Sequence, residues 1–331
     1  MYENLCKPLN VVKEIKLYTG TGNPELAHKV ADILHLELQG LKLEKFANGE
    51  TYARFDESVR GDEVFFIQTL AGPNVNDLLM ETLIVADAAT RASADSFTVV
   101  IPHYGYARQD RKAAPREPIT ARLVANLLEA AGVDRVITLD LHSNQIQGFF
   151  DIPVTHLTAL YLFGDYFKKK DFDWDNTVVV SPDMGRAKVA KKLSDYLGCE
   201  VAIAHKSRPK HNAAEVMGII GNIKGKTCII NDDMIDTAGT LVGSICKLKE
   251  MGAGDIYISA THGIFSGAAI ERLEGAPIVE CVVTDAIPCP VADQPGSKIK
   301  TVSVASELAD AIHAVFVHSP VSAVYGGNAE M

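Results

Sequence analysis

The sequence predicts an α/β protein with parallel sheets, built as two similar halves. Three observations carry this. Short β-branched runs alternate with segments of helical period, which is how a parallel sheet is written. The length of 331 residues suits about two domains at roughly 150 residues each. Finally, LEAAGVDRVITLDLH (128–142) aligns without gaps on LKEMGAGDIYISATH (248–262), 120 residues further on. Both read as helix, glycine stop, strand and terminal histidine.

Taken in order, the predicted strands are Glu63–Thr69, Thr98–Pro102, Arg135–Leu139, Thr177–Pro182, Val201–Ala204, Thr227–Asn231, Ile256–Thr261 and Ile278–Thr284. Each is a short apolar run of the length a strand buried on both faces needs. Between them, Pro118–Ala131 places Ile119, Leu123, Val124, Leu127 and Leu128 on one helical face. Pro118 suits its opening turn and Gly132 its stop. Arg186–Leu197 before Gly198, and Leu241–Met251 before Gly252, repeat that design. The halves are expected at 12–158 and 159–305. A last helix, within 306–331, is expected to pack back on the first half. With no low-complexity linker between them, the halves should meet along a cleft beyond the strand C-termini, where open α/β sheets bind ligands.

Composition narrows the function. The formal net charge is -10, which argues against a general nucleic-acid or anionic-membrane binder. No apolar run approaches ~20 residues, and the N-terminus has no signal-peptide core, so a cytoplasmic location is expected. The six cysteines form no C-x-x-C pair and read as buried free thiols. Gly221-Asn-Ile-Lys-Gly-Lys-Thr227 imitates a phosphate-binding P-loop. It has three residues between its glycines where four are needed, and a strand follows where a helix is required, so it reads as a turn.

The strongest chemical signal is Cys228-Ile-Ile-Asn-Asp-Asp-Met-Ile-Asp-Thr-Ala-Gly-Thr240. A strand runs into Asp232 and Asp233, then Asp236, then Thr237-Ala238-Gly239-Thr240 at a helix start. The last four can offer backbone N–H groups and hydroxyls to a phosphate at the positive end of the helix. Gly239 leaves room for the anion to approach the backbone. Carboxylates do not help bind phosphate, so the three acids should face sugar hydroxyls or a metal ion.

This loop resembles the ribose-5-phosphate motif of type I phosphoribosyltransferases and, more closely, of ribose-phosphate pyrophosphokinases. Further motifs extend the resemblance over nearly the whole chain. They include Phe46-Ala-Asn-Gly-Glu50, Glu57-Ser-Val-Arg-Gly61, Arg91-Ala-Ser93, Pro102-His-Tyr-Gly-Tyr-Ala-Arg-Gln-Asp-Arg-Lys112, Arg116-Glu-Pro-Ile-Thr120, Asp140-Leu-His142 and Gln145-Ile-Gln-Gly-Phe-Phe-Asp-Ile-Pro153. The resemblance implies two Rossmann-like domains of the type I phosphoribosyltransferase fold. It implies transfer of the terminal diphosphate of Mg-ATP to ribose 5-phosphate.

It also implies roles. Phe46, Asn48, Gly49, Glu50, Arg108 and Gln109 would bind ATP. His142 and Asp183 would hold its Mg²⁺; Asp183 is the more natural ligand, because Mg²⁺ prefers oxygen. Lys206 and Arg208 would stabilise the transferring diphosphate, and Arg208 would also contact ribose 5-phosphate. The loop Asp110–Pro118 would close over ATP. Ser58 and Arg60 match a phosphate-sensing segment, with inorganic phosphate as activator, and subunits would associate from dimer to hexamer. The chain departs from the family pattern at Ser207, at Pro115 and at Met184-Gly-Arg186, where x-Gly-Gly is common. A non-enzymatic regulator, or a transferase that consumes phosphoribosyl diphosphate, is the competing reading. The presence of Lys206, Arg208, His142 and Asp183 opposes the first, and the Arg-Gln-Asp-Arg-Lys segment opposes the second.

Overall fold

The computed structural model describes residues 13–207 and 216–321. The first half opens with β1 (Ile15–Thr19), α1 (Pro24–Leu34) and an antiparallel hairpin, β2 (Leu41–Lys45) with β3 (Thr51–Phe55). It continues through β4 (Glu63–Ile67), α2 (Val75–Arg91), β5 (Ser96–Ile101), α3 (Thr120–Ala130), β6 (Arg135–Leu139) and β7 (Val154–Leu157). Apart from the hairpin, its strands form a parallel sheet in the order β1-β4-β5-β6-β7.

The second half runs α4 (Leu160–Lys168), β8 (Thr177–Ser181), α5 (Ala187–Leu197), β9 (Glu200–Ser207), β10 (Val216–Ile220), β11 (Thr227–Ile235) and α6 (Gly239–Glu250). It ends with β12 (Ile256–Gly263), α7 (Ala269–Gly275), β13 (Glu280–Thr284), β14 (Ile299–Val302) and α8 (Ala305–Phe316). Its sheet order is β10-β9-β8-β11-β12-β13-β14, parallel except where β10 returns antiparallel to β9. The fold is the predicted α/β class.

The β-branched runs end up where their composition requires. β4 and β8 are buried at every residue, and each buried Val or Phe contributes about 1.5–3 kcal/mol of transfer free energy. Helices α5 and α6 stop at glycines in the left-handed region, Gly198 (φ 73) and Gly252 (φ 91), where a side chain would be strained. Helix α3 starts at Thr120, two residues beyond Pro118, and leaves Ile119, Leu123 and Leu127 exposed. The face that it buries instead carries Ala121, Val124, Ala125 and Leu128. The P-loop imitation is the turn between β10 and β11.

One hydrophobic core is shared between the halves. It joins α1, α4, α5 and α8 with β1 and β6 of one sheet and β8 and β13 of the other. Helix α8 lies against α1. Two further cores cover the remaining face of each sheet.

Both halves follow the same strand plan. Starting at the first strand of each, β1-β4-β5-β6-β7 matches β8-β11-β12-β13-β14. On that plan β6 corresponds to β13, yet the sequence echo pairs it with β12. The echo is therefore one β–α unit out of step: helix–glycine–strand recurs inside each half as well as between halves.

The glycine-rich turn after β1 corresponds to the Asp183 turn after β8. It is filled from within. Glu81 of α2, 7% exposed, accepts the Thr21 backbone N–H (2.8 Å), the Thr21 hydroxyl (2.9 Å) and the Gln68 amide (2.6 Å). A Cβ at Gly20 would meet Gln68 at 2.5 Å.

Candidate functional site

The C-terminal ends of the two sheets face each other and enclose a cavity of about 860 Å³. β11 supplies Asp232 and Asp233. The chain then turns through Asp236, Thr237 and Ala238 into α6. Ala238 has φ 59, a left-handed conformation strained for any residue with a Cβ. The turn is braced from behind. Arg272 donates to Thr237 O (2.7 Å), and the Ser266 N–H donates to Asp236 O (3.0 Å). The first backbone bond of α6 runs from Val242 N to Ala238 O. The N–H groups ahead of it sit at a helix start, where no intrahelical carbonyl can pair with them. A Cβ at Gly239 would meet nothing nearer than Arg272 Nη1, at 3.9 Å. The protein itself does not demand glycine there, and the room lies open to a ligand.

The acids are held by cations from several elements. His142, just past β6, donates Nδ1–H to Asp233 Oδ2 at 2.7 Å, and its Nε2 stands outside that contact. Arg108, past β5, donates to Asp236 Oδ2 at 2.7 Å. Arg186, in the turn after β8, sets Nε 3.4 Å from Asp232 Oδ1 and Nη1 3.7 Å from Asp233 Oδ1. Burial, followed by neighbouring Asp233, raises the pKa of Asp232, and Arg186 opposes this. For Asp233, burial pushes upward, but the His142 hydrogen bond and the Arg186 charge outweigh it and hold the carboxyl down. The hydrogen bond to Asp233 in turn raises the pKa of His142.

The segment that presents His142 is clamped on both sides. Asp140 has a left-handed backbone (φ 35). Its Oδ2 accepts the Thr261 hydroxyl (2.6 Å) from the second half and the Ala159 N–H (2.9 Å). His262 Nε2 lies 3.1 Å from both Leu139 O and Asp140 O, and the Leu141 N–H donates to His156 Nε2 at 2.9 Å. The His262 ring meets His103 edge-on, with centroids 4.6 Å apart. Burial pushes the pKa values of His103, His156 and His262 below the ordinary histidine value.

Of the sequence-predicted residues, Arg108, His142, Asp183, Asp232, Asp233, Asp236 and Thr237–Thr240 all line the one cavity. Asp183 also caps its own turn, with Oδ1 accepting the Arg186 N–H at 3.0 Å. Gln109 does not line the cavity; its side chain accepts the Thr120 hydroxyl at 2.6 Å. Phe46, Asn48, Gly49 and Glu50 form the exposed β2–β3 turn, away from the cavity wall. Gly49 (φ 90) closes that turn, and Phe46 is 55% exposed with its ring 5.6 Å from Tyr52. Lys206 lies on the last stretch of β9, and Arg208 falls outside the described residues. Ser58 and Arg60 are exposed; Ser58 Oγ accepts the Arg60 N–H (3.3 Å), and Arg60 Nη1 donates to Ser93 Oγ (3.2 Å). The sequence reading assigned no role to Arg186, Asp140, His156, Thr261 or His262. A count of charges would have pointed to Arg186; the others touch partners distant in sequence.

Among the described residues no cluster of three or more His, Cys, Asp or Glu side chains could hold a metal ion. No described helix is long and apolar enough to cross a membrane. Comparison with known proteins agrees with the geometry. Residues 15–132 match the model of the N-terminal domain of ribose phosphate pyrophosphokinase, and residues 208–325 match that of the phosphoribosyl synthetase-associated domain. The chain is 49% identical over 317 residues to a ribose-phosphate pyrophosphokinase of Clostridium acetobutylicum, covering 96% of this chain and 99% of that one. It is 50% identical over 311 residues to ribose-phosphate pyrophosphokinase 2 of Enterococcus faecalis, covering 94% and 96%. Its structure is similar to the crystal structure of phosphoribosylpyrophosphate synthetase from Mycobacterium smegmatis, with a TM-score of 0.86, 44% identity, and coverage of 93% and 100%.

Proposed function

The chain belongs to the ribose-phosphate pyrophosphokinase family, and from that premise we propose how its cavity works. The reaction moves the β,γ-diphosphoryl group of ATP to the 1-hydroxyl of ribose 5-phosphate. The sugar O1–Pβ bond forms, the bond from Pβ to the AMP oxygen breaks, and the O1 proton is lost. The products are 5-phosphoribosyl 1-diphosphate and AMP. Such a transfer depends mainly on positioning and on charge stabilisation.

In this reading Thr237–Thr240 receive the 5-phosphate at the start of α6, and Asp232 and Asp233 accept hydrogen bonds from the sugar hydroxyls, with Asp236 beside them. The supporting observation is that this turn shares a single cavity with Arg108, His142 and Asp183. Arg108 would leave Asp236 for the ATP phosphates, where its planar fork suits paired oxygens. The described residues alone offer too few donors for a closed metal site. That fits Mg²⁺, which takes one or two protein groups and completes its shell with phosphate oxygens and water. His142 through Nε2 and Asp183 would hold it, with Asp233 orienting the imidazole from behind. When bound, the ion neutralises charge on the triphosphate. Lys206 and Arg208 are assigned to the transferring diphosphate.

The β2–β3 turn stands outside the cavity wall. Assigning Phe46, Asn48, Gly49 and Glu50 to adenine therefore goes with self-association, from dimer to hexamer, in which the turn of a second copy meets the nucleotide. Residues 12–158 and 159–305 would act as the two domains, Ser58 and Arg60 would sense inorganic phosphate, and the enzyme would work in the cytoplasm. The deciding experiment incubates the protein with ribose 5-phosphate and Mg-ATP and follows AMP. AMP equal to the 5-phosphoribosyl 1-diphosphate formed is the expected result. Absence of AMP would refute the activity.

A further inference from the structure

Arg186 stands where the family pattern has glycine. Its backbone N–H is tied to Asp183 Oδ1, which fixes where the side chain begins. The side chain is 19% exposed and lines the cavity. It approaches Asp232 and Asp233 at 3.4 and 3.7 Å, and its buried Nε completes no hydrogen bond among the described residues. The contact is thus one of charge, not of directed hydrogen bonding.

Two adjacent carboxylates, Asp233 buried and Asp232 half-buried, need a counter-charge nearby, because burial penalises each ion and each raises the cost of the other. An acid pair of this kind could face either sugar hydroxyls or a divalent cation. The guanidinium separates the two cases. A divalent cation arriving at the pair would meet a fixed, permanent positive charge. A neutral hydroxyl meets no such repulsion, and finds both carboxyl groups held in place beside the guanidinium. Resting on the ribose 5-phosphate reading above, we propose that Arg186 is a positioning residue: the built-in counter-ion of Asp232 and Asp233, through which the pair binds the sugar hydroxyls without a divalent cation of its own. The ion that accompanies the triphosphate, on the His142 and Asp183 side, is a separate matter.

The test compares the wild type with Arg186→Ala and Arg186→Lys as full chains. Calorimetric titration with Mn²⁺ and no nucleotide should show one more bound ion per chain in Arg186→Ala than in the wild type or Arg186→Lys. At fixed Mg-ATP, the KM of Arg186→Ala for ribose 5-phosphate should be about tenfold higher at low free Mg²⁺ and fall back as free Mg²⁺ rises. The wild type and Arg186→Lys should show no such dependence. Equal Mn²⁺ counts in the wild type and Arg186→Ala overturn the proposal. So does a wild-type KM for ribose 5-phosphate that falls as free Mg²⁺ rises at fixed Mg-ATP. That second result is decisive even if Arg186→Ala does not fold. A wild type that forms no AMP at all refutes the parent activity, and the proposal with it.

Discussion

Arg108 Nη1 donates to Asp236 Oδ2 at 2.7 Å, so an arginine of the first half is paired with an acid of the second. The arginine side chain is 58% exposed, and an ion pair that open contributes only about 0–1 kcal/mol. It is a resting partnership, weak enough for substrate to displace. Arg108→Ala should therefore change urea-unfolding stability by less than about 1 kcal/mol while raising the KM for ATP by about tenfold or more. Loss of stability without a change in ATP KM would make the pair structural.

Asp140 presents the opposite case. Its carboxylate accepts the Thr261 hydroxyl and the Ala159 N–H, and both donors belong to buried residues. Asp140→Ala leaves both unsatisfied, at a cost of about 2–4 kcal/mol in chemical denaturation. Because the same residue anchors the turn to His142, the surviving folded protein should also lose kcat.

The left-handed Ala238 gives a prediction of sign. Valine there, β-branched at φ 59, should cost more than about 2 kcal/mol. Glycine relieves the strain but frees the unfolded chain, so it should stay within about 1 kcal/mol of wild type. Thermal melts of Ala238→Val and Ala238→Gly, with and without ribose 5-phosphate, check both.

Acid should weaken the junction between the halves. Burial holds the pKa of His103 well below its ordinary value. The folded state therefore favours the neutral ring, and the stability it contributes is complete above the unfolded value. It is lost as pH falls below about 6.5, at up to about 1.4 kcal/mol per pH unit. His103→Phe keeps a ring against His262 and removes an Nδ1 that has no partner among the described residues. Urea midpoints from about pH 5 to about pH 8 should fall less steeply for this variant than for wild type. Parallel pH profiles would show that His103 carries none of the effect.

Much of the fold could be read from the sequence because strands buried on both faces are unbroken apolar runs. Val178-Val-Val180 and Cys228-Ile-Ile230 are of this kind. Strands with one half-exposed face, such as Ile15-Lys-Leu-Tyr-Thr19, or of four residues, such as Val154–Leu157, carry a weaker pattern. Neither is among the predicted strands. The same limit applies at the site. Asp232, Asp233 and Asp236 sit within five residues of one another on one strand end and announce themselves. The contacts that orient His142 come from Thr261 and His262, on a strand of the other half, and no local spacing reveals them. Arg186 was visible as an odd residue, but only the folded chain shows which carboxylates it faces.

The glycine-rich turn after β1 has a wider consequence. Its Thr21 backbone N–H and hydroxyl already hold the Glu81 carboxylate, an anion supplied by the chain itself. No phosphate can take that place without expelling a buried side chain that Gln68 also grips. Repetition of the architecture has thus left this turn of the first half without room for an anionic ligand, while its counterpart after β8 opens on the cavity. The halves share a plan but divide the work: the first lends Arg108 and His142 to a cavity whose acids and left-handed turn come from the second.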